Sequence, residues 1–334
     1  MTGADEKEKK MIRHPLAPHE ASLVPDASED GVDRRGFLQC MAWAGTGLLW
    51  TVSGGVLSSR RVAAAAEVAP PGGEFAFAQM SDSHIGFALA ANPDVTGTLQ
   101  QAIARLNALQ PAPAFVLHTG DLTHSQKPGE FDTLAENLKS LTAKQVFYVP
   151  GEHDVFVDDG KAYLARYGQG TKGTGWHSFE YQGVHFIGLN NVTNLKAGGL
   201  GNLGPEQLAW LEADTKPLSA STPIVVFAHI PLWAVYPAWG WGTDDGAQAL
   251  TYLKRFGSVT VLNGHIHQVL QKVEGNVQFH TAMSTAFPQP APGTAPSPGP
   301  LTVPAGELRH LLGVREVAVV PTKGSLATTD FPLA

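Results

Sequence analysis

Five short segments place oxygen or imidazole groups suited to metal ions where apolar runs end: Asp82-Ser83-His84, Gly120-Asp121, Gly151-Glu152-His153-Asp154, His229 in Ala-His-Ile-Pro, and Gly264-His265-Ile266-His267. Singly these are ordinary, since Asp82 would serve to cap a loop and Asp121 to form an Asx-turn. Five in this order, four of them after β-type runs, are not explained by packing. His265 and His267 flank one residue, so an extended segment puts both on one side. The chemistry this inventory suits is hydrolysis at a pair of cations. A phosphate ester repels an anionic nucleophile, and two cations roughly 3.5–4 Å apart offset both charges while activating water between them. Such a centre needs a shared carboxylate, several neutral imidazoles and an open position, all of which are present.

The elements that must hold these groups are read from the periodicity. From residue 75 onward short apolar runs alternate with helical stretches, the pattern of a layered α/β domain. Strands are expected at 75–79, 114–118, 145–149, 176–181, 184–189, 224–228, 258–262, 269–273, 277–280 and 314–319, and helices at 96–109, 130–143, 205–215 and 247–256. Early strands alternate with helices, whereas later ones come in pairs, such as 176–181 with 184–189 across Gln182-Gly183. That mixture predicts two mixed sheets rather than one parallel sheet. Two irregular stretches interrupt the pattern. Residues 231–246 carry Trp233, Tyr236, Trp239 and Trp241, which either pack at the rim or line a cleft; Trp239 and Trp241, among glycines, are the better cleft candidates. Residues 288–304, rich in Pro and Ala, read as an extended surface loop.

The composition, 334 residues with 43% hydrophobic and 16% charged, is globular. The N-terminal 66 residues stand apart. Asp33-Arg34-Arg35-Gly36-Phe37-Leu38 leads into a moderately apolar stretch, 41–57, followed by Arg60-Arg61 and the small-residue run 63–66. A twin arginine, an apolar run and an Ala-rich cleavage zone look like a Tat export signal. Thr46, Thr51 and Ser53 interrupt the run, which weighs against a spanning helix of roughly 20 apolar residues, although an uncleaved anchor stays open. The expected division is 1–66 as tail and signal and 67–334 as the catalytic domain, delivered by the Tat machinery to the periplasm or the exterior. Residues 1–66 hold eight basic and eight acidic residues, leaving 15 Lys+Arg against 22 Asp+Glu beyond. That acidic balance argues against long nucleic acid as a partner, and no basic amphipathic helix points to a stable membrane partner after cleavage. The one cysteine, Cys40, lies in the signal, so the remainder has no disulfide and no thiolate ligand. Its ions must be held by His and carboxylates, which accept manganese, iron and zinc alike.

The ordered set D-x-H, G-D, G-x-H-D, H and G-H-x-H resembles the calcineurin-like metallophosphoesterase family over about residues 75–281. Gly120-Asp121-Leu122-Thr123 with Gly129-Glu130-Phe131 is most similar to its cyclic-nucleotide-phosphodiesterase-like branch. The resemblance implies a four-layer α/β/β/α sandwich with ligands on loops at the sheet ends. Carried over position by position, it implies Asp82, His84 and His267 as ligands of a first metal, Asp121 as the bridging ligand, and His229, His265 and Glu152 as ligands of a second. His153 resembles the histidine that contacts phosphate and protonates the leaving oxygen. Two positions depart from the family: Glu152 stands where Asn is usual, and His124 where many members have Asp. With divalent ions the three carboxylates leave the ligand set at about plus one, against about plus two with Asn, so attraction for a phosphate dianion is expected to be weaker or the second ion to be ferric. Without an Asp at 124, His153 needs another partner, either His124 or Asp154.

The expected activity is hydrolysis of a small phosphate ester, a diester before a monoester, by a hydroxide bridging two metal ions. An exported phosphomonoesterase is the alternative enzyme. A metal-holding binding protein silenced by Glu152 is the alternative from another class.

Overall fold

The computed structural model describes residues 48–53, 56–61, 74–320 and 325–334. The twin arginine, the cleavage zone and the expected boundary at 66 lie outside them. Within the expected signal, strand β1 (Leu48–Ser53) pairs antiparallel with β2 (Val56–Arg61). Among the described residues no helix is long and apolar enough to cross a membrane.

The next strands are β3 (Phe75–Met80), β4 (Val116–His118) and β5 (Val146–Tyr148), interleaved with helices α1 (Val95–Asn107) and α2 (Pro128–Leu138). After the short helix α3 (Lys161–Tyr167) come β6 (His177–Tyr181), β7 (Val184–Leu189), α4 (Gly204–Thr215), β8 (Ile224–Ala228), α5 (Gly246–Leu253) and β9 (Val259–Asn263). The chain closes with β10 (Gln271–Glu274), β11 (Val277–Thr281), α6 (Leu308–Leu311), β12 (Gly313–Val320) and β13 (Ser325–Pro332).

Besides the β1–β2 pair, two larger sheets form among the described residues, in the orders β10-β11-β9-β8-β7-β6 and β13-β12-β3-β4-β5. Both are mixed, as expected. Strands β7, β8, β9 and β11 run parallel with antiparallel edges β6 and β10, while β3, β4 and β5 run parallel and β12 joins antiparallel.

Strand alternation sorts the side chains into three apolar layers. Val225 and Phe227 of β8 and Val184 and Phe186 of β7 face the other sheet, meeting Phe75, Phe77, Phe115 and Leu117. Ile224, Val226 and Ala228 face outward onto Leu208 and Leu211 of α4 and Leu250 and Leu253 of α5. On the far side Ala78 and Met80 of β3 meet Leu99 and Ile103 of α1 and Leu134 of α2. The result is the α/β/β/α sandwich. Because both faces of the central strands are covered, they read in sequence as unbroken apolar runs.

Helix α2 begins two residues earlier and ends five residues before the expected 143, and β1, β2, α3, α6 and β13 were not expected. Those beyond residue 74 are weakly patterned: β13 is a polar edge strand, α3 is only two turns long and α6 is four residues long. Residues 288–304 have no regular structure, as expected.

Candidate metal centre

All five segments expected to carry ligands follow the C-terminal ends of strands, namely β3, β4, β5, β8 and β9. Since β3–β5 are mutually parallel and β7–β9 likewise, these ends gather at one edge of each sheet. The backbone there is unusual: Asp82, His84, Asp121, His265 and His267 all have φ between 40° and 71°. Such left-handed conformations are uncommon for residues with a Cβ and cluster where the surrounding structure over-determines them. Glycines permit the close approach. A Cβ on Gly151 would collide with the carboxylate and amide of Asp121, and one on Gly264 with Ser81 and Asp82.

Two groups of side chains result, joined by one carboxylate. In the first, His267 Nε2 lies 3.3 Å from Asp82 Oδ1 and 3.3 Å from His84 Nε2. In the second, Glu152 reaches His265 Nδ1 at 3.0 Å with one oxygen and His229 Nε2 at 3.1 Å with the other. Asp121 Oδ2 lies between them, 3.4 Å from His84 Nε2 and 3.3 Å from His229 Nε2. Donor atoms held about 2.1 Å from one ion stand roughly 3.0–3.4 Å from one another, which is the spacing seen.

The imidazoles are pinned from behind. His229 Nδ1 donates to the Thr119 carbonyl at 2.7 Å and His267 Nδ1 to the Phe287 carbonyl at 2.6 Å, so in both rings Nε2 keeps its lone pair toward the cluster. His229 Nε2, Glu152 Oε2 and both ring nitrogens of His265 are buried without a hydrogen-bond partner. The close Glu152–histidine pairs therefore lack hydrogen-bond angles, and an ion would satisfy these atoms where their neighbours do not. The donor set, imidazole and carboxylate with no thiolate, suits manganese, iron or zinc. The groups Asp82/His84/His267, Glu152/His229/His265 and Asp82/Asp121/His229 each bring their donor atoms within 4.8 Å of one another.

Electrostatics mark the same place. Burial pushes the Glu152 carboxyl up, but His265 and His229 outweigh it and hold it well below the usual range. Burial likewise acts against Asp82, which His267 and His229 keep low. The carboxylates of Asp121 and Glu152 overcome burial and lift His229 well above the ordinary imidazole value. His84 is depressed by burial and then by its neighbours His153, His267 and His124. These carboxylates call for positive charge at their midst, which bound cations would provide in place of protons.

His153 stands beside the groups with its amide donating to Asp121 Oδ1 at 3.0 Å. Its ring Nδ1 donates to the main-chain carbonyl of His124 at 2.8 Å, leaving Nε2 free. Of the two partners expected for it, His124 is therefore the one found, through its backbone. Asp154 is not. Its two oxygens instead accept the amides of Leu122, Thr123 and Gly151, tying the Asp121 loop to the Glu152 loop. Asp82, His84, Asp121, His229 and His267 are buried, while Glu152, His153 and His265 are partly exposed and form the open side.

Trp241 is no cleft residue: it is fully buried, and Trp239 packs edge-on against it and Tyr236. The interrupting glycines suggested an open loop, but the aromatic rings close on one another instead. Sequence reasoning missed Phe287, whose ring stacks on His84 at 4.7 Å, and buried His118, which contacts Ser83 Oγ at 2.9 Å and is pushed down to about 3 by burial. For Phe287 no sequence signal exists; His118 was visible as a histidine ending a strand run.

Residues 75–269 match the family model described as calcineurin-like phosphoesterase. The chain is 28% identical over 217 residues to a 3',5'-cyclic-nucleotide phosphodiesterase from Nostoc sp., covering 63% of this chain and 78% of that one. It is 30% identical over 158 residues to a probable glycerophosphodiester phosphodiesterase from Arcobacter nitrofigilis, covering 46% of this chain and 56% of that one. The crystal structure of a dimetal phosphatase from Danio rerio shares the fold with a TM-score of 0.55 at 14% identity, over 77% of this chain and 99% of that one. With the match spanning more than half of its length, the chain belongs to the calcineurin-like phosphoesterase family and is a hydrolase of phosphate esters.

Proposed function

We propose that this protein hydrolyses small phosphodiesters at a centre of two metal ions. Asp82, His84, His267 and Asp121 would hold one ion, and Asp121, Glu152, His229 and His265 the other. The observation that carries the reading is the place of Asp121, one carboxylate oxygen within 3.4 Å of imidazoles from both groups. Bound cations would neutralise the phosphoryl oxygens and activate water as the attacking hydroxide. The chain's own residues supply the rest. The pinned histidines keep the donor atoms preorganised, and His153, oriented by the His124 carbonyl, offers Nε2 to the phosphate and a proton to the leaving oxygen. Diester activity is supported by the phosphodiesterase names of the Nostoc and Arcobacter relatives. Arg34-Arg35, the apolar run and the Ala-rich zone at 63–66 support export by the Tat route, with the enzyme domain beginning near 67.

The test is hydrolysis of an aryl phosphodiester and its matching monoester by protein loaded in turn with manganese, iron or zinc, with His229→Ala as control. Diester preference lost in the control is the expected result. Monoester preference would point to a phosphate-scavenging phosphatase, and full ion occupancy without turnover to a binding protein.

A further inference from the structure

One imidazole beside the centre lies outside the expected ligand set. His124 Nδ1 is 3.3 Å from Nδ1 of His84. Its ring stacks on that of His153, with centroids 4.8 Å apart and planes at 18°, and Phe87 closes on it edge-on at 5.1 Å. The backbone fixes this arrangement. The His84 amide donates to the Asp121 carbonyl at 2.9 Å, that of Ile85 to Leu122 at 3.1 Å, and that of His124 back to Ile85 at 2.9 Å. The amide of Ser125 is held by Glu130 Oε2 at 2.8 Å, which anchors the next residue to helix α2. The register of two loops therefore places residues 84 and 124 side by side.

The contact has one consistent proton arrangement if His84 binds an ion. A neutral imidazole that ligates through Nε2 carries its proton on Nδ1. The nitrogen facing it must then be an acceptor, so the His124 proton sits on Nε2. We propose that His124 is a positioning residue for the metal centre: its Nδ1 accepts the Nδ1–H of His84 and so keeps His84 Nε2 aimed at Asp121 and His267. The inference rests on the reading of His84 as an ion ligand. It also supplies a physical reason for a histidine at this position. A carboxylate would accept the same proton but add a fourth negative charge to those of Asp82, Asp121 and Glu152, whereas a neutral imidazole adds none.

Two substitutions separate the acceptor from the ring. His124→Asn keeps an acceptor near the position of Nδ1 and loses the ring; His124→Phe keeps the ring against His153 and Phe87 and loses the acceptor. Both retain the main-chain carbonyl that holds His153. The readout is manganese or zinc affinity of the full chain by competition with a chelator. Loss of an outer hydrogen-bond partner typically weakens a metal site about 10- to 100-fold, and that loss is expected for His124→Phe in one of two binding steps, with His124→Asn within about threefold of the parent. Should the Phe variant fail to fold, His124→Ala must lose the affinity and His124→Asn regain it. Equal loss in Asn and in the variants without an acceptor, or parental affinity in all of them, would overturn the inference while leaving the metal centre standing. A parent chain that binds no divalent ion would overturn both.

Discussion

Glu152 sets the charge of the centre. Its two oxygens reach His229 and His265, so it sits within the second group of donors rather than beside it. A unit charge about 5 Å from a phosphate is worth roughly 3 kcal/mol at an effective dielectric of about 20, and less where water screens it. Glu152→Asn is therefore expected to tighten inhibition by inorganic phosphate about tenfold in metal-loaded protein, read from steady-state inhibition constants. Asp154 makes a different prediction. Each of its oxygens accepts at least one backbone N–H, and Oδ1 accepts the Thr123 hydroxyl as well, so the amide group of Asp154→Asn would oppose an N–H in either orientation. The expected cost is about 1–3 kcal/mol in denaturant unfolding, with no new charge to explain it. The candidate donor residues were legible in the sequence because metal chemistry restricts the residue types allowed. Their supports were not: the carbonyls of Thr119, Phe287 and His124 are main-chain atoms, which no residue type announces.

Gly151 brings the loop after β5 against Asp121 so closely that a methyl group has no room. Gly151→Ala should lower turnover by at least about 100-fold, since small misplacements of reacting groups cost that much, while the circular-dichroism spectrum stays that of the parent. Away from the centre, helix α4 is tied to the β6–β7 pair through His185, which contacts Asp214 Oδ2 at 2.8 Å and also reaches Glu180. Burial pulls the His185 pKa down, but its bonds to Asp214 and Glu180 outweigh that and raise it, and burial of Asp214 is likewise outweighed by His185 and Ser178. The histidine's contribution is thus full below its unfolded value near 6.5 and fades as pH rises through the higher folded value. The aspartate's is full above 3.8 and fades as pH falls through its lower folded value. The stability difference between the parent and His185→Gln, on the order of 1 kcal/mol for a partly exposed pair, should narrow in thermal melts between pH 6 and pH 9. A gap that widens with pH would contradict this account. At this scale the sequence was read well where strands are buried on both faces, as in Ile224–Ala228, and poorly where an element meets solvent on one side, as in β13.

Across the whole molecule, two sheets packed face to face bring together ligand segments that lie nearly two hundred residues apart in the chain. Phe186 stands at the centre of that contact, 5.2 Å from the rings of both Phe77 and Phe115. Phe186→Ala is expected to cost about 3–5 kcal/mol in unfolding free energy, and to weaken the centre only as the sheets loosen. The layer architecture was legible from alternating strands and helices, whereas the pairing of β12 with β3 joins strands too distant for any local pattern to reveal. The most direct test of the whole account is the number of ions held by the parent and by Asp121→Asn, counted by elemental analysis during manganese titration alongside phosphodiester hydrolysis. Two ions per chain in the parent, with the second weakened and turnover lost together in the variant, is the predicted result. One ion in the parent, or two ions and full turnover in Asp121→Asn, would contradict a centre built around a shared carboxylate.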